Sequence, residues 1–150
     1  MDAASGTDAV IDSFRGDFGF LSNFYEVSIW YLGKAYRSVE HAYQAFKATD
    51  EQSHELIRAA KTPGIAKHLG KSVVLTSDWE DRKVPLMREL LREKFKNPLL
   101  RALLLATEDA QLIEGNTWND FFWGICRGSG KNWLGRLLME IREECKKQDM

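Results

Sequence analysis

Apolar residues in this chain follow two different periods, and the change between them lays out the fold. The early run Ser28–Leu32 carries Ile29, Trp30 and Tyr31, residues that suit a pleated surface, and Gly33-Lys34 follows as a turn. With Ala35–Arg37 as the return strand, this predicts a small hairpin near the N-terminus. From Val39 the period becomes helical: Val39, Ala42, Tyr43 and Phe46 fall at i, i+3, i+4 and i+7, one buried face of a helix over Val39–Ala48. Leu56, Ile57 and Ala60 mark a second helix over Gln52–Lys61. Thr62 and Pro63 supply an N-cap and an N1 proline for a third, which Gly70 ends. Ser77 to Glu80 has the form of a capping box. Pro85 then predicts a kink or a fresh start in a helix whose core face runs through Met87, Leu90, Leu91 and Phe95. Asn97-Pro98 opens another helix through Thr107, and Leu112–Glu114 has the character of a short strand. Leu134, Leu137, Leu138 and Ile141 line the inner face of a final helix over Leu134–Lys146. The predicted class is α+β, predominantly helical, with a small N-terminal β-hairpin or sheet.

Size and composition narrow the partners. At 150 residues, with no repeat or low-complexity linker, one domain over residues 12–147 is expected, preceded by a flexible segment over residues 1–11 whose first six are small and polar. A net charge of −1 excludes a broadly basic nucleic-acid surface but leaves room for a local basic pocket. Cys126 and Cys145 form no CxxC or Cys/His pattern, and no leader precedes the domain, so a reducing cytoplasm is the expected compartment. The apolar stretch Leu99–Ala106 contains Arg101 and falls far short of the roughly 20 residues of a membrane span. His41, His54 and His68 lack an i, i+4 partner, so no metal site is expected.

Chemistry concentrates in two stretches. On the Val39–Ala48 helix, Glu40, Gln44 and Lys47 project from a common side, with Glu40 in the first turn, where a helix favours a carboxylate. The plain alternative is a solvated face with a weak Glu–Lys pairing. The second stretch, Trp118–Gly135, supplies Asp120 amid aromatics and glycines. Within it, Gly128–Asn132 (GSGKN) lacks the spacing of a phosphate loop and opens no evident helix; its glycines serve a tight turn or an anion-facing one. Trp79 stands beside Arg82 and Lys83, a ring for a base next to cations for a phosphate, and Arg15 lies in a loop with aromatics.

Four ordered pieces then converge. FLSNFYE (Phe20–Glu26), YRSVEHAYQAFKA (Tyr36–Ala48), the KF-x-NP-x-L segment (Lys94–Leu100) and D-x-x-WG followed by GKNWLGRLLMEIR (Asp120–Arg142) resemble the NADAR, or YbiA-like, family over nearly the whole chain. The resemblance implies a mainly helical α+β domain and metal-independent N-glycosidase activity without a cofactor. Family substrates include phosphoribosylamino-pyrimidine intermediates of riboflavin synthesis and ADP-ribosylated guanine. Family catalytic and pocket positions fall on Glu40, Trp79 and Asp120. Some relatives carry an acid directly after the WG pair, where this chain has Ile125-Cys126-Arg127, which bears on the substrate more than on the reaction.

The expectation is therefore hydrolysis of a bond between ribose and a base or arylamine nitrogen. Glu40 and Asp120 face an oxocarbenium-like transition state, one orienting water or stabilising the cation and the other assisting the leaving nitrogen, in either order. Trp79 with Phe24 or Trp123 encloses the base, and Arg15, Lys47, Arg82 and Lys83 hold phosphate. Asn23, Tyr36 and Gln44 complete the expected substrate contacts. Arg127 and Lys131 tilt the substrate toward an ADP-ribosyl adduct of guanine, including ADP-ribosylated DNA; the phosphoribosylamino-pyrimidines and a non-catalytic NAD or ADP-ribose-binding module are the alternatives. No membrane partner is expected, and a monomer is favoured.

Overall fold

In the computed structural model, which describes residues 9–149, the helical periods become six α-helices and the short β runs become three two-stranded ladders. In chain order, β1 is Val10–Ile11 and a 3-10 helix spans Gly16–Leu21. The hairpin strands follow as β2, Ile29–Tyr31, and β3, Lys34–Tyr36. Next come α1 (Val39–Ala45), α2 (Glu51–Arg58), α3 (Pro63–Gly70), α4 (Trp79–Lys94) and α5 (Pro98–Leu105). The chain closes with β4 (Gln111–Leu112), β5 (Gly115–Asn116), β6 (Ile125–Cys126) and α6 (Trp133–Gln148). The class is α+β with helices dominant, as the patterning implied. None of the described helices is long and apolar enough to cross a membrane.

The chain gathers into two compact units, one formed by residues up to Ser22 with those from Phe95 on, the other by Asn23–Lys94. In the Asn23–Lys94 unit, β2 and β3 pair antiparallel with Trp30 opposite Ala35. Leu32 and Gly33 form the two-residue turn, both with positive φ (48° and 86°), the primed geometry that matches strand twist. Around this hairpin α1 packs against α2, α3 and α4, and all seven of its residues are buried. Side-chain oxygens close each short helix: Ser38 accepts from His41 N–H, Asp50 from Ser53 N–H and Thr62 from Ile65 N–H.

Three expectations need correction here. The capping box at Ser77 does not form; α4 begins at Trp79, and the Asp78 carbonyl takes the first helical bond, from Arg82 N–H. Of the two outcomes expected at Pro85, a kink or a fresh start, the fresh start is excluded, because α4 runs through it from Trp79 to Lys94. Residues 1–8 lie outside the described residues, but Val10 and Ile11, placed by the sequence in the flexible segment, form β1.

That strand belongs to the other unit, where it pairs in parallel with β4. The parallel ladder of β5 and β6 was not visible in the sequence, since each strand has two residues and no alternation. The expected strand at Leu112–Glu114 is shifted to Gln111–Leu112. α6 packs on β4 and α5, and its buried Arg142 donates to the Thr107 hydroxyl (2.8 Å). Asn97 caps α5 through Leu99 and Leu100 N–H.

Lys94, at the end of α4, is 1% exposed, with its Nζ 5.7 Å from the Tyr25 ring. Burial pulls its pKa from 10.5 down to about 7. Between those values the unfolded chain binds more protons than the folded one, so stability rises with pH across that window, and the penalty is complete below it. Urea titrations should therefore show wild type gaining stability from about pH 7 to about pH 10, relative to Lys94→Met. A constant difference between the two proteins would contradict a depressed Lys94.

Candidate functional site

The Asn23–Lys94 unit holds Glu40 in a polar cluster set into apolar packing. Ser38 breaks the extended chain and caps α1, which places Glu40 at the second helical position with 7% exposure. Its backbone N–H, one of the amides a helix start leaves unpaired, donates to the Asn23 carbonyl (3.1 Å). Four residues on, one helical turn, the Gln44 carboxamide donates Nε2–H to Glu40 Oε2 at 2.7 Å. The bond fixes the amide: its other end, Gln44 Oε1, is buried without a partner, as is Asn23 Oδ1. A buried acceptor left unmade costs about 1–3 kcal/mol. Asn23 Nδ2 lies 3.6 Å from Met87 Sδ, a weak acceptor. His41, buried on the same helix, is structural, with Nε2–H donating to the Ala60 carbonyl (2.9 Å) and Nδ1 beside Ser38 Oγ (2.8 Å).

Lys47 stands at the other end of this stripe, its Nζ 5.3 Å from the Tyr43 ring and 6.0 Å from that of Trp79, and those rings meet at 5.4 Å. Burial lowers the Lys47 pKa; the Glu40 carboxylate pulls it back up, while Lys67 and Lys83 push it further down. One carboxylate and three lysines thus share an electrostatic environment inside a single unit. An arrangement of this kind accepts an anionic group beside a buried carboxylate.

The expected base-binding ring is differently placed. Trp79 is 4% exposed, met by Tyr43, Lys47 and Arg82 (Cζ 5.5 Å from its ring), so it forms a wall rather than a stacking surface. Phe24 is the accessible ring, 42% exposed, with Lys67 Nζ 5.9 Å away. Arg82 donates to the Thr76 hydroxyl (3.0 Å) and Lys83 to Glu80 (2.7 Å). Tyr36 has other neighbours altogether: its hydroxyl is 2.8 Å from His54 Nε2, and its ring packs on Phe46. A shallow open groove lined by Glu26, Ser28, Tyr36 and Arg37 runs along the hairpin and contains neither candidate acid. Sequence reasoning missed Tyr43 and Lys67; Tyr43 reads as core, and nothing in the segment around Lys67 distinguishes it from a solvated lysine.

In the other unit Asp120 builds a turn. Its Oδ1 accepts from Phe122 N–H (3.2 Å) and Trp123 N–H (2.8 Å), while Asn116 Oδ1 accepts from Asp120 N–H and Asn116 Nδ2 donates to the Asp120 carbonyl. The aligned Phe122 and Trp123 carbonyls then accept from Trp133 and Leu134 N–H at the start of α6. The GSGKN stretch does lead into a helix, contrary to expectation, but these amides are already bonded, which removes the phosphate-loop geometry. Gly130, at φ 143°, is a close approach, since a Cβ there would strike the Gly124 carbonyl. Arg127 lies over Phe121 (6.0 Å) and donates to Asn119 Oδ1; Lys131 lies over Phe122 (5.7 Å). Arg15 is exposed at the start of the 3-10 helix and makes no side-chain cap, and Trp123 is half-buried against Phe122.

Residues 12–146 match the model of the NADAR domain family. The chain is 44% identical over 143 residues to N-glycosidase YbiA of Escherichia coli (strain K12), covering 91% of this chain and 89% of that protein. It is 42% identical over 130 residues to a riboflavin biosynthesis protein of Vibrio vulnificus (strain YJ016), covering 84% of this chain but 35% of that protein. The NMR structure of the E. coli protein YbiA superposes with a TM-score of 0.85 at 41% identity, over 95% of this chain and 88% of that one.

Because Glu40 opposes the fall in the Lys47 pKa, Glu40→Gln should make Lys47 titrate lower still. Lysine side-chain NMR titration of the two proteins reads this directly, and an unchanged Lys47 curve would separate the two groups.

Proposed function

From a chain that belongs to the NADAR domain family and is a hydrolase of N-glycosidic bonds, we propose that Glu40 is the catalytic carboxylate and that the substrate is an N-glycoside of a phosphorylated ribose. The observation that supports this most strongly is the buried Glu40 side chain, held by Gln44 at 2.7 Å and coupled to Lys47, which in turn feels the charges of Lys67 and Lys83. Cleavage of a ribose–nitrogen bond develops positive charge at the anomeric carbon, which a nearby carboxylate stabilises while orienting water. Water oxygen bonds to that carbon, the carbon–nitrogen bond breaks, and a proton passes to the leaving nitrogen, giving a free sugar phosphate and an amine. The lysines suit the phosphate, and Phe24 suits the base.

Asp120 is the second candidate acid, with one oxygen committed to its turn. Asp120→Asn keeps that Oδ1 acceptor while replacing the charged Oδ2 with an amide NH2, so it tests the charge with the turn retained. Glu40→Gln should lower kcat by roughly 10²–10⁴-fold with the fold retained, the range for acid–base groups, and Asp120→Asn should lower it if its charge takes part. Near-normal turnover in either variant, in a discontinuous assay of released base, removes that residue from the mechanism.

Two substrate classes fit a phosphorylated ribose. A phosphoribosylamino-pyrimidine is favoured by the riboflavin biosynthesis relative, whose match covers 84% of this chain. ADP-ribosylated guanine is the second reading, favoured by Lys67 and Lys83, further cations coupled to Lys47 that suit a second phosphate. A panel containing both, followed by mass spectrometry, should show ribose phosphate released with the higher kcat/KM. Release of ADP-ribose with the higher kcat/KM selects the second reading, and turnover of neither sinks the phosphorylated-ribose assignment.

A further inference from the structure

Gly70 closes α3 in ordinary helical backbone, with none of the positive φ that would require glycine. Alanine is the better helix former, so the missing side chain has another reason. A Cβ at Gly70 would overlap Gln44 Oε1 outright and lie 2.8 Å from its Cδ and 3.2 Å from its Cβ. Gly64, in the first turn of the same helix, has open space instead, its nearest neighbour being Thr62 Oγ1 at 3.8 Å. The Gln44 carboxamide therefore lies in a slot that exists only because α3 carries no side chain at that point. Its acceptor end is pressed into the slot without a partner, and its donor end reaches Glu40 Oε2. Turning the amide over would set a carbonyl oxygen against a carboxylate oxygen, so the slot holds one orientation.

We infer that Gly70 is a positioning residue for the reaction: by leaving room for Gln44, it sets the hydrogen bond that aims the Glu40 carboxylate. The inference rests on the catalytic reading of Glu40. A methyl group at position 70 displaces the carboxamide and removes its hydrogen bond from Glu40 Oε2, although it touches neither substrate nor acid. The overlap with the carboxamide is gone once position 44 is alanine, leaving only a 3.2 Å approach between the two Cβ atoms, which a shift of a few tenths of an ångström relieves.

The test is a cycle of Gly70→Ala, Gln44→Ala and the double variant, with Gly64→Ala as the control on the same helix. Two readouts are used: turnover of the N-glycoside that wild type cleaves in the panel, and the NMR resonance of the Gln44 side-chain amide. Gly70→Ala should lower kcat about tenfold or more, as misplacement of a reacting group does, with KM within about twofold. It should also move the Gln44 amide toward the shift of a free carboxamide, while Gly64→Ala changes neither. The double variant should be no slower than Gln44→Ala, and, where Gly70→Ala folds poorly, the double should recover folding. Additive losses, or an unchanged Gln44 resonance in folded Gly70→Ala, overturn the inference. Failure of the underlying reading looks different: Glu40→Gln turns over normally, although Gly70→Ala still shifts the Gln44 amide.

Discussion

A seven-residue helix with every side chain buried is a demanding element, because it carries a carboxylate, a carboxamide, an imidazole and a phenol into the interior. Such groups are tolerated only where hydrogen bonds replace water. The bond from Gln44 to Glu40 is the central one, and much of the surrounding unit conforms to it. α3 comes close because its last residue lacks a Cβ, the Asn23 carbonyl receives the Glu40 amide, and Ser38 fixes the start of the helix through His41. Two amide oxygens nevertheless remain unsatisfied.

The lysines follow the same logic. A cation loses stability when desolvated, and Lys47 and Lys94 both show depressed pKa values from burial. Lys47 is partly compensated by Glu40 and by two aromatic rings, so its burial belongs to the cluster. In the other unit the equivalent organising group is Asp120, whose carboxylate orders the peptides of Phe122 and Trp123 so that their carbonyls meet the first amides of α6. A D-x-x-WG signature is thus a turn motif as well as a candidate catalytic one.

Much of this was legible where a residue acts on its own backbone or its own helical turn. Thr62-Pro63 and Asn97-Pro98 announce α3 and α5 because capping and N1 proline are local effects. Glu40, Gln44 and Lys47 share a stripe because helical geometry alone requires it. Trp79 shows the limit: beside Arg82 and Lys83 it reads as a ring for a base, yet Tyr43 and Lys47, some thirty residues earlier, pack against it. Tyr36, four residues before Glu40, turns instead to His54 and Phe46.

The sequence by itself determined the helix-dominated α+β class, most helix starts and the family, since these depend on local periodicity, caps and ordered motifs. Tertiary structure decided which polar groups are desolvated and which way they face. It buried the Glu40–Gln44 pair, which the sequence left open to a solvated face, and it made Gly70, the expected helix end, also the clearance for Gln44. Those outcomes arise from close approach between helices more than twenty residues apart in the chain, and no local pattern encodes the distance between two packed surfaces.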